Sequence, residues 1–101
     1  MTLAQYELFV NSQSRNDLDL NYAIIALNEE AGECAGWYKK YVLRGNPTGK
    51  YEREDLAKEL GDLLFYLTRT AGLMGWSVTD IMDWNKEKLE ARRGKGLRQV
   101  V

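Results

Sequence analysis

Two groups of acidic residues stand where a helix should carry apolar ones. The first is Asn28-Glu29-Glu30-Ala31-Gly32-Glu33 and the second is Lys58-Glu59-Leu60-Gly61-Asp62. On a helix turning about 100° per residue, Glu30 and Glu33 lie about 60° apart, and so do Glu59 and Asp62. Glu29 and Glu33 share the four-residue spacing at which like charges repel. Leu27, Cys34, Leu60 and Leu63 flank these groups, so each lies within an apolar stripe and not opposite it. Gly32 and Gly61 each cost a helix up to about 1 kcal/mol relative to alanine, which makes sense where another helix or a ligand comes close. Carboxylates in apolar surroundings are tolerated when they are paired or hold a metal. Four oxygen donors without nitrogen or sulfur ligands select a hard cation, Mg²⁺ first and Mn²⁺ second. A hard cation in such a cage commonly serves a phosphate-bearing substrate, neutralising its charge and positioning a water. A solvated acidic face paired with Lys39, Lys40 and Lys58 is the plainer reading of either group alone; the same pattern occurring twice argues for the cation.

The rest of the composition narrows the chemistry. Histidine is absent, which removes histidine general bases, Ser-His-Asp triads, His-ligated zinc and Glu-x-x-His di-iron centres. Cys34, the single cysteine, has no internal disulfide partner, which fits a reducing cytoplasm, and with acids around it and no base it is a poor nucleophile. Net charge is −1, from 14 basic and 15 acidic side chains, so electrostatics argues for neither nucleic acid nor membrane binding. The basic run from Lys86 to Arg98 carries no nucleic-acid motif. No Gly-x-x-x-x-Gly-Lys loop is present, so a P-loop ATPase is excluded. The chain opens without the basic start and apolar core of a signal peptide, and its longest apolar run, Ala23 to Leu27, is far short of a membrane span. A cytoplasmic protein is expected.

With 101 residues, 45% hydrophobic and 29% charged, the chain has room for one ordinary soluble domain, taken as residues 1–101. The elements that must position the acids are helical. Thr2 with Gln5 makes a capping box for a short helix carrying Leu3, Tyr6, Phe9 and Val10. Asn11 to Asp17 reads as a turn. A long helix then begins near Leu18 to Leu20, capped by Asn16, Asp17 or Asp19, and runs to about Arg44 on a stripe of Leu20, Ala23, Ile24, Leu27, Ala31, Cys34, Tyr38 and Val42. Gly45 to Gly49, around the lone Pro47, is a loop. The third helix spans about Glu52 to Ala71 on Leu56, Leu60, Leu63, Leu64 and Leu67, with Gly72 and Gly75 ending it. Ser77 with Asp80 caps a fourth, running through Val78, Ile81, Met82 and Leu89 to about Arg93. Residues 94–101 read as a C-terminal arm. The expected fold is an all-α helical bundle. A helical domain this small buries only about two-thirds of its unfolded surface and often completes its core by association, so an oligomer is expected.

A phosphate site needs counter-charges. Lys40 is seven residues beyond Glu33 and Arg69 seven beyond Asp62, each on nearly the same face as its acid. Lys88 and Arg92, four apart, share a face with Asn85. Each is otherwise an ordinary surface cation. Trp37 and Tyr66 follow Glu33 and Asp62 by one turn and could border a base, sugar or phosphate, or pack in the core. Trp76 and Trp84 are assigned to the core or a subunit contact.

Taken together, Glu29-Glu30-Ala31-Gly32-Glu33 and Glu59-Leu60-Gly61-Asp62 resemble the E-E-x-x-E … E-x-x-D signature of MazG-like nucleoside triphosphate pyrophosphohydrolases. Asn85 to Arg92 is similar to that family's later N-x-x-K-L-x-x-R segment, and the likeness extends over about Leu20 to Lys95. The resemblance implies an all-α fold in which helices of two chains complete a four-helix bundle, as a homodimer or homotetramer. It implies Mg²⁺-dependent hydrolysis of a nucleoside triphosphate between the α- and β-phosphates, giving the monophosphate and pyrophosphate. By position, Glu30, Glu33, Glu59 and Asp62 would be metal ligands. Glu29 would be a further ligand or would orient the water, with Glu30 as the other catalytic carboxylate. Lys88, Arg92 and Asn85 would face the triphosphate, with Lys40, Tyr66 and Trp37 as further substrate contacts. Related all-α dUTPases, phosphoribosyl-ATP pyrophosphohydrolases and a non-catalytic helical interaction module are the alternatives. Asn85 to Arg92 fits the MazG-like group better than the phosphoribosyl-ATP enzymes.

Overall fold

Helical periodicity along the chain resolves into four α-helices: α1 (Leu3–Ser12), α2 (Leu20–Tyr38), α3 (Arg53–Leu73) and α4 (Val78–Gly94). The computed structural model describes residues 1–13, 19–45 and 53–94, and no strand occurs among them. The expected caps at Asn16 and Asp17, the Gly45–Gly49 loop beyond Gly45, and residues 95–101 of the arm lie outside the described residues.

The helix starts follow from local side-chain chemistry. Thr2 Oγ1 accepts from the Gln5 backbone N–H at 3.1 Å, and the Gln5 carboxamide accepts from Thr2 N–H at 2.8 Å, a complete capping box. Asp19 is the cap of α2, its carboxylate accepting from Tyr22 N–H at 2.9 Å. Ser77 and Asp80 cap α4 reciprocally, at 3.0 and 3.1 Å. The second helix reaches Leu43 as expected, but its last turn, Lys39–Leu43, is widened to a π-helix in which Arg44 N–H bonds back to the Lys39 carbonyl at 2.9 Å.

Helix α3 runs to Leu73, two residues past the expected end at Ala71. Gly75 sits at φ +83°, where a side chain is disfavoured, and is the stop. Trp76 N–H bonds to the Ala71 carbonyl and Gly75 N–H to that of Gly72, the paired closure of a Schellman motif. Gly72 has a different task. A Cβ there would stand 2.6 Å from Asn11 Oδ1, so its hydrogen lets α1 lie close against α3. Asn11 Oδ1 in turn accepts from Arg69 at 2.8 Å, and the Glu7 carboxylate accepts from Val78 N–H at 3.0 Å. Arg69 is thereby a tie between α3 and α1.

Helices α2 and α3 form the main packed pair, with α1 against α3 and α4 more lightly against α3. The buried residues are Val10, Ala23, Ala26, Thr68, Ala71 and Val78. This core is thin. The inward line of α2 is Ala23, Ala26, Leu27, Glu30, Cys34 and Trp37, whereas Ile24, Ala31 and Tyr38 of the expected stripe are exposed. On α3, Leu56, Glu59, Leu63 and Leu67 turn inward while Leu60 and Leu64 are exposed. Glu30 and Glu59 thus occupy inward positions, while Glu29, Glu33 and Asp62 are exposed. Trp76 and Trp84 pack edge to face, 4.9 Å between centroids, but both remain about half exposed and are not core. No helix among the described residues is long and apolar enough to cross a membrane.

Candidate functional site

The inward lines of α2 and α3 meet at their acids. One carboxylate oxygen from each of Glu30, Glu33 and Glu59 lies within 4.8 Å of the other two. Glu30 and Glu33 come from one helix at three-residue spacing, and Glu59 comes from the helix packed against it. Asp62, one turn beyond Glu59, is exposed and outside this trio, yet its charge acts on Glu30, Cys34 and Tyr6. Glu29 is exposed on the flank of the cluster and is not among those charges.

The electrostatics are those of anions without counter-ions. Burial pushes the Glu30 carboxyl above its ordinary range; the charges of Glu33 and Asp62, a hydrogen bond with Glu33 and the charge of Glu59 push it further. Burial likewise raises the Cys34 thiol, reinforced by Glu59, Glu30, Asp62 and Glu33. A thiol held protonated is no nucleophile, as the sequence suggested. Glu30 Oε2 and Glu59 Oε2 are both out of solvent and accept no hydrogen bond among the described residues. Desolvated carboxylate oxygens on two side chains of one cluster are costly alone and suited to a hard cation.

Among the described residues, none of the expected counter-charges is among the charges that act on Glu30 and Cys34. The charges that act on Glu30 and Cys34 are all carboxylates. Lys40 is exposed at the start of the π turn, its ammonium 5.3 Å from the Tyr41 ring centroid. Asn85 and Lys88 are exposed on α4, and Arg92 is half-buried. Trp37 is half-buried and packs on Tyr41 at 5.0 Å, and Tyr66 is half-buried with Phe65 edge-on at 5.2 Å. Among the described residues nothing lies within 4 Å of a Cβ built on Gly32 or Gly61, so none of them makes the close approach expected there. One residue escaped the sequence reading. Tyr6, read as part of the apolar side of α1, is half-buried and feels the Asp62 charge, which with burial raises its phenol. No spacing rule could reveal it, because only the docking of α1 on α3 brings it there.

The fold and this centre define an all-α protein whose functional groups are carboxylates gathered between two packed helices. The family model described as the MazG nucleotide pyrophosphohydrolase domain matches residues 19–96, and the chain belongs to that family. The family uses a divalent metal ion. The chain is also similar to the Gene 37 protein of Mycobacterium phage L5, with 33% identity over 82 residues that cover 79% of this chain and 71% of the phage protein. No solved structure matches the chain. Helix α1, with Tyr6, precedes the matched span.

Proposed function

We propose that the chain is a Mg²⁺-dependent nucleoside triphosphate pyrophosphohydrolase that works as a homodimer or homotetramer. Hydrolysis between the α- and β-phosphates would release the nucleoside monophosphate and pyrophosphate. The observation that carries this reading is the pair of desolvated, unpartnered oxygens of Glu30 and Glu59 within a three-carboxylate cluster.

Glu30, Glu33, Glu59 and Asp62 would hold the ion, with Mn²⁺ as a possible substitute. When bound, the ion supplies positive charge that offsets the roughly four negatives of a nucleoside triphosphate and polarises its α-phosphate. Glu29 would orient the attacking water, and the Glu30 carboxyl, whose pKa is raised by burial and neighbouring carboxylates, would take up its proton. Lys88, Arg92 and Asn85 bind the triphosphate oxygens. Trp37 and Tyr66 offer half-buried aromatic surface for the base and sugar. Lys40 sits with its ammonium against Tyr41 and is the weakest of the candidate substrate contacts.

The test is product analysis. The protein is incubated with each nucleoside triphosphate and Mg²⁺, and the products are separated. Monophosphate with pyrophosphate supports the reading; diphosphate with orthophosphate, or no turnover of any nucleotide, overturns it.

A further inference from the structure

Helix α4 carries Asn85, Lys88 and Arg92, yet little holds it in place. It packs lightly against α3, and past its first residue, Val78, none of its residues is buried. Its attachment therefore lies at its start. There Ser77 and Asp80 satisfy each other's backbone N–H groups, and Thr79 is exposed. The Val78 N–H is an orphan donor that this box leaves over, and Val78 is buried. Its acceptor comes from 71 residues back in the chain: the Glu7 carboxylate, at 3.0 Å.

Glu7 is itself held. Val10 and Asn11, one turn beyond it, share its side of α1. Val10 is fully buried, Asn11 Oδ1 accepts from Arg69 of α3, and Gly72 leaves room for Asn11. So α4 is fixed to α3 twice, once through the turn at Gly75 and once through α1. One attachment lets a helix swing about its end; a second removes much of that freedom. The leverage is large. At 1.5 Å per residue, Lys88 and Arg92 lie about 15 and 21 Å beyond Val78, and a swing of about 10° would move them about 3 and 4 Å.

From these contacts we infer that Glu7 is a positioning residue: by accepting the Val78 N–H it sets the direction of α4, and so the place at which Asn85, Lys88 and Arg92 meet the substrate. That the substrate is a nucleoside triphosphate rests on the pyrophosphohydrolase reading; the hold of α1 on α4 does not. The role needs an acceptor at this point and not a charge, so glutamine can fill it and alanine cannot.

Three full-length variants test this, with nucleoside triphosphate turnover in Mg²⁺ and backbone amide exchange as the two readouts. Glu7→Ala loses one hydrogen bond and should stay folded, and each variant is measured below its melting transition. Its kcat/KM should fall about tenfold or more, since a small misplacement of a binding group is costly. The fall should come mainly from a higher KM, because the displaced groups bind substrate. The Val78 amide of Glu7→Ala should exchange its hydrogen at least several-fold faster than in wild type. Glu7→Gln, whose carboxamide oxygen still accepts, should restore both. Thr2→Ala breaks the α1 capping box and lowers the melting temperature without removing a contact to α4, so it should keep kcat/KM near wild type. Wild-type kcat/KM in Glu7→Ala, an equal loss in Thr2→Ala, or failure of Glu7→Gln to restore it overturns the inference. So does a Val78 amide that stays slow in Glu7→Ala. A wild type that hydrolyses no nucleotide sinks the pyrophosphohydrolase reading instead; fast Val78 exchange confined to Glu7→Ala would still leave α1 as the clamp on α4.

Discussion

Glu30 of α2 and Glu59 of α3 each hold one carboxylate oxygen out of water with no donor among the described residues, and their carboxylates approach within 4.8 Å of one another. Such a pair is destabilising until a cation joins it, and that cost is measurable.

Neutralising one member should separate folding from function. Glu59→Gln is expected to raise the metal-free melting temperature by a few degrees, the shift that about 0.5–1 kcal/mol gives in a chain of this size. It should also shrink the upward shift that Mg²⁺ gives the wild type. Asp62→Ala should abolish turnover with the fold intact. Melting curves with chelator and with Mg²⁺ check both; a Glu59→Gln protein far less stable than wild type without metal would contradict the repulsion argument. An acidic docking face, the alternative to a cation site, would respond to ionic strength and not to Mg²⁺ in particular.

The raised Glu30 carboxyl sets the sign of a pH effect. Because the folded state holds this proton more tightly than the unfolded chain, its contribution is full below the ordinary value near 4.5 and is lost as pH climbs through the raised one. Without metal, the wild type should therefore lose melting temperature relative to Glu30→Gln as pH climbs from the ordinary carboxyl value through the raised one. Saturating Mg²⁺ should reverse that trend, since a cation binds the deprotonated form and displaces the proton.

Gly72 and Asn11 should be coupled. Gly72→Ala alone puts a Cβ against Asn11 Oδ1 and disturbs its bond to Arg69. A loss of about 1 kcal/mol is expected. In an Asn11→Ala background the same change meets no obstacle, and the higher helix propensity of alanine should make it stabilising by up to about 1 kcal/mol. A double-mutant cycle by denaturant unfolding reads the sign change. Additive effects would mean that the close approach has no energetic weight.

Cys34 should be slow to alkylate. Burial and four neighbouring carboxylates hold the thiol protonated, so the native protein should react with iodoacetamide at pH 8 at least several-fold slower than the unfolded chain. Equal rates would place the thiol outside the cluster.

The amino-acid sequence on its own determined the helices and the chemistry on offer. Thr2, Asp19, and Ser77 with Asp80 make hydrogen bonds within one turn, so their capping roles are local and readable from spacing. Three-residue spacing likewise put Glu30 beside Glu33 before any packing was known. Tertiary structure decided what spacing cannot. It turned Glu30 and Glu59 inward while leaving Ile24, Leu60 and Leu64 outside, because rotation of a helix about its axis depends on the partner it packs against. It converted Arg69 from a phosphate candidate into a tie to Asn11, and Gly72 from a helix stop into a contact point. It also carried Tyr6 to Asp62 across most of the chain. Periodicity fixes which residues share a helix face. Which faces meet is set by surface complementarity between elements distant in the chain.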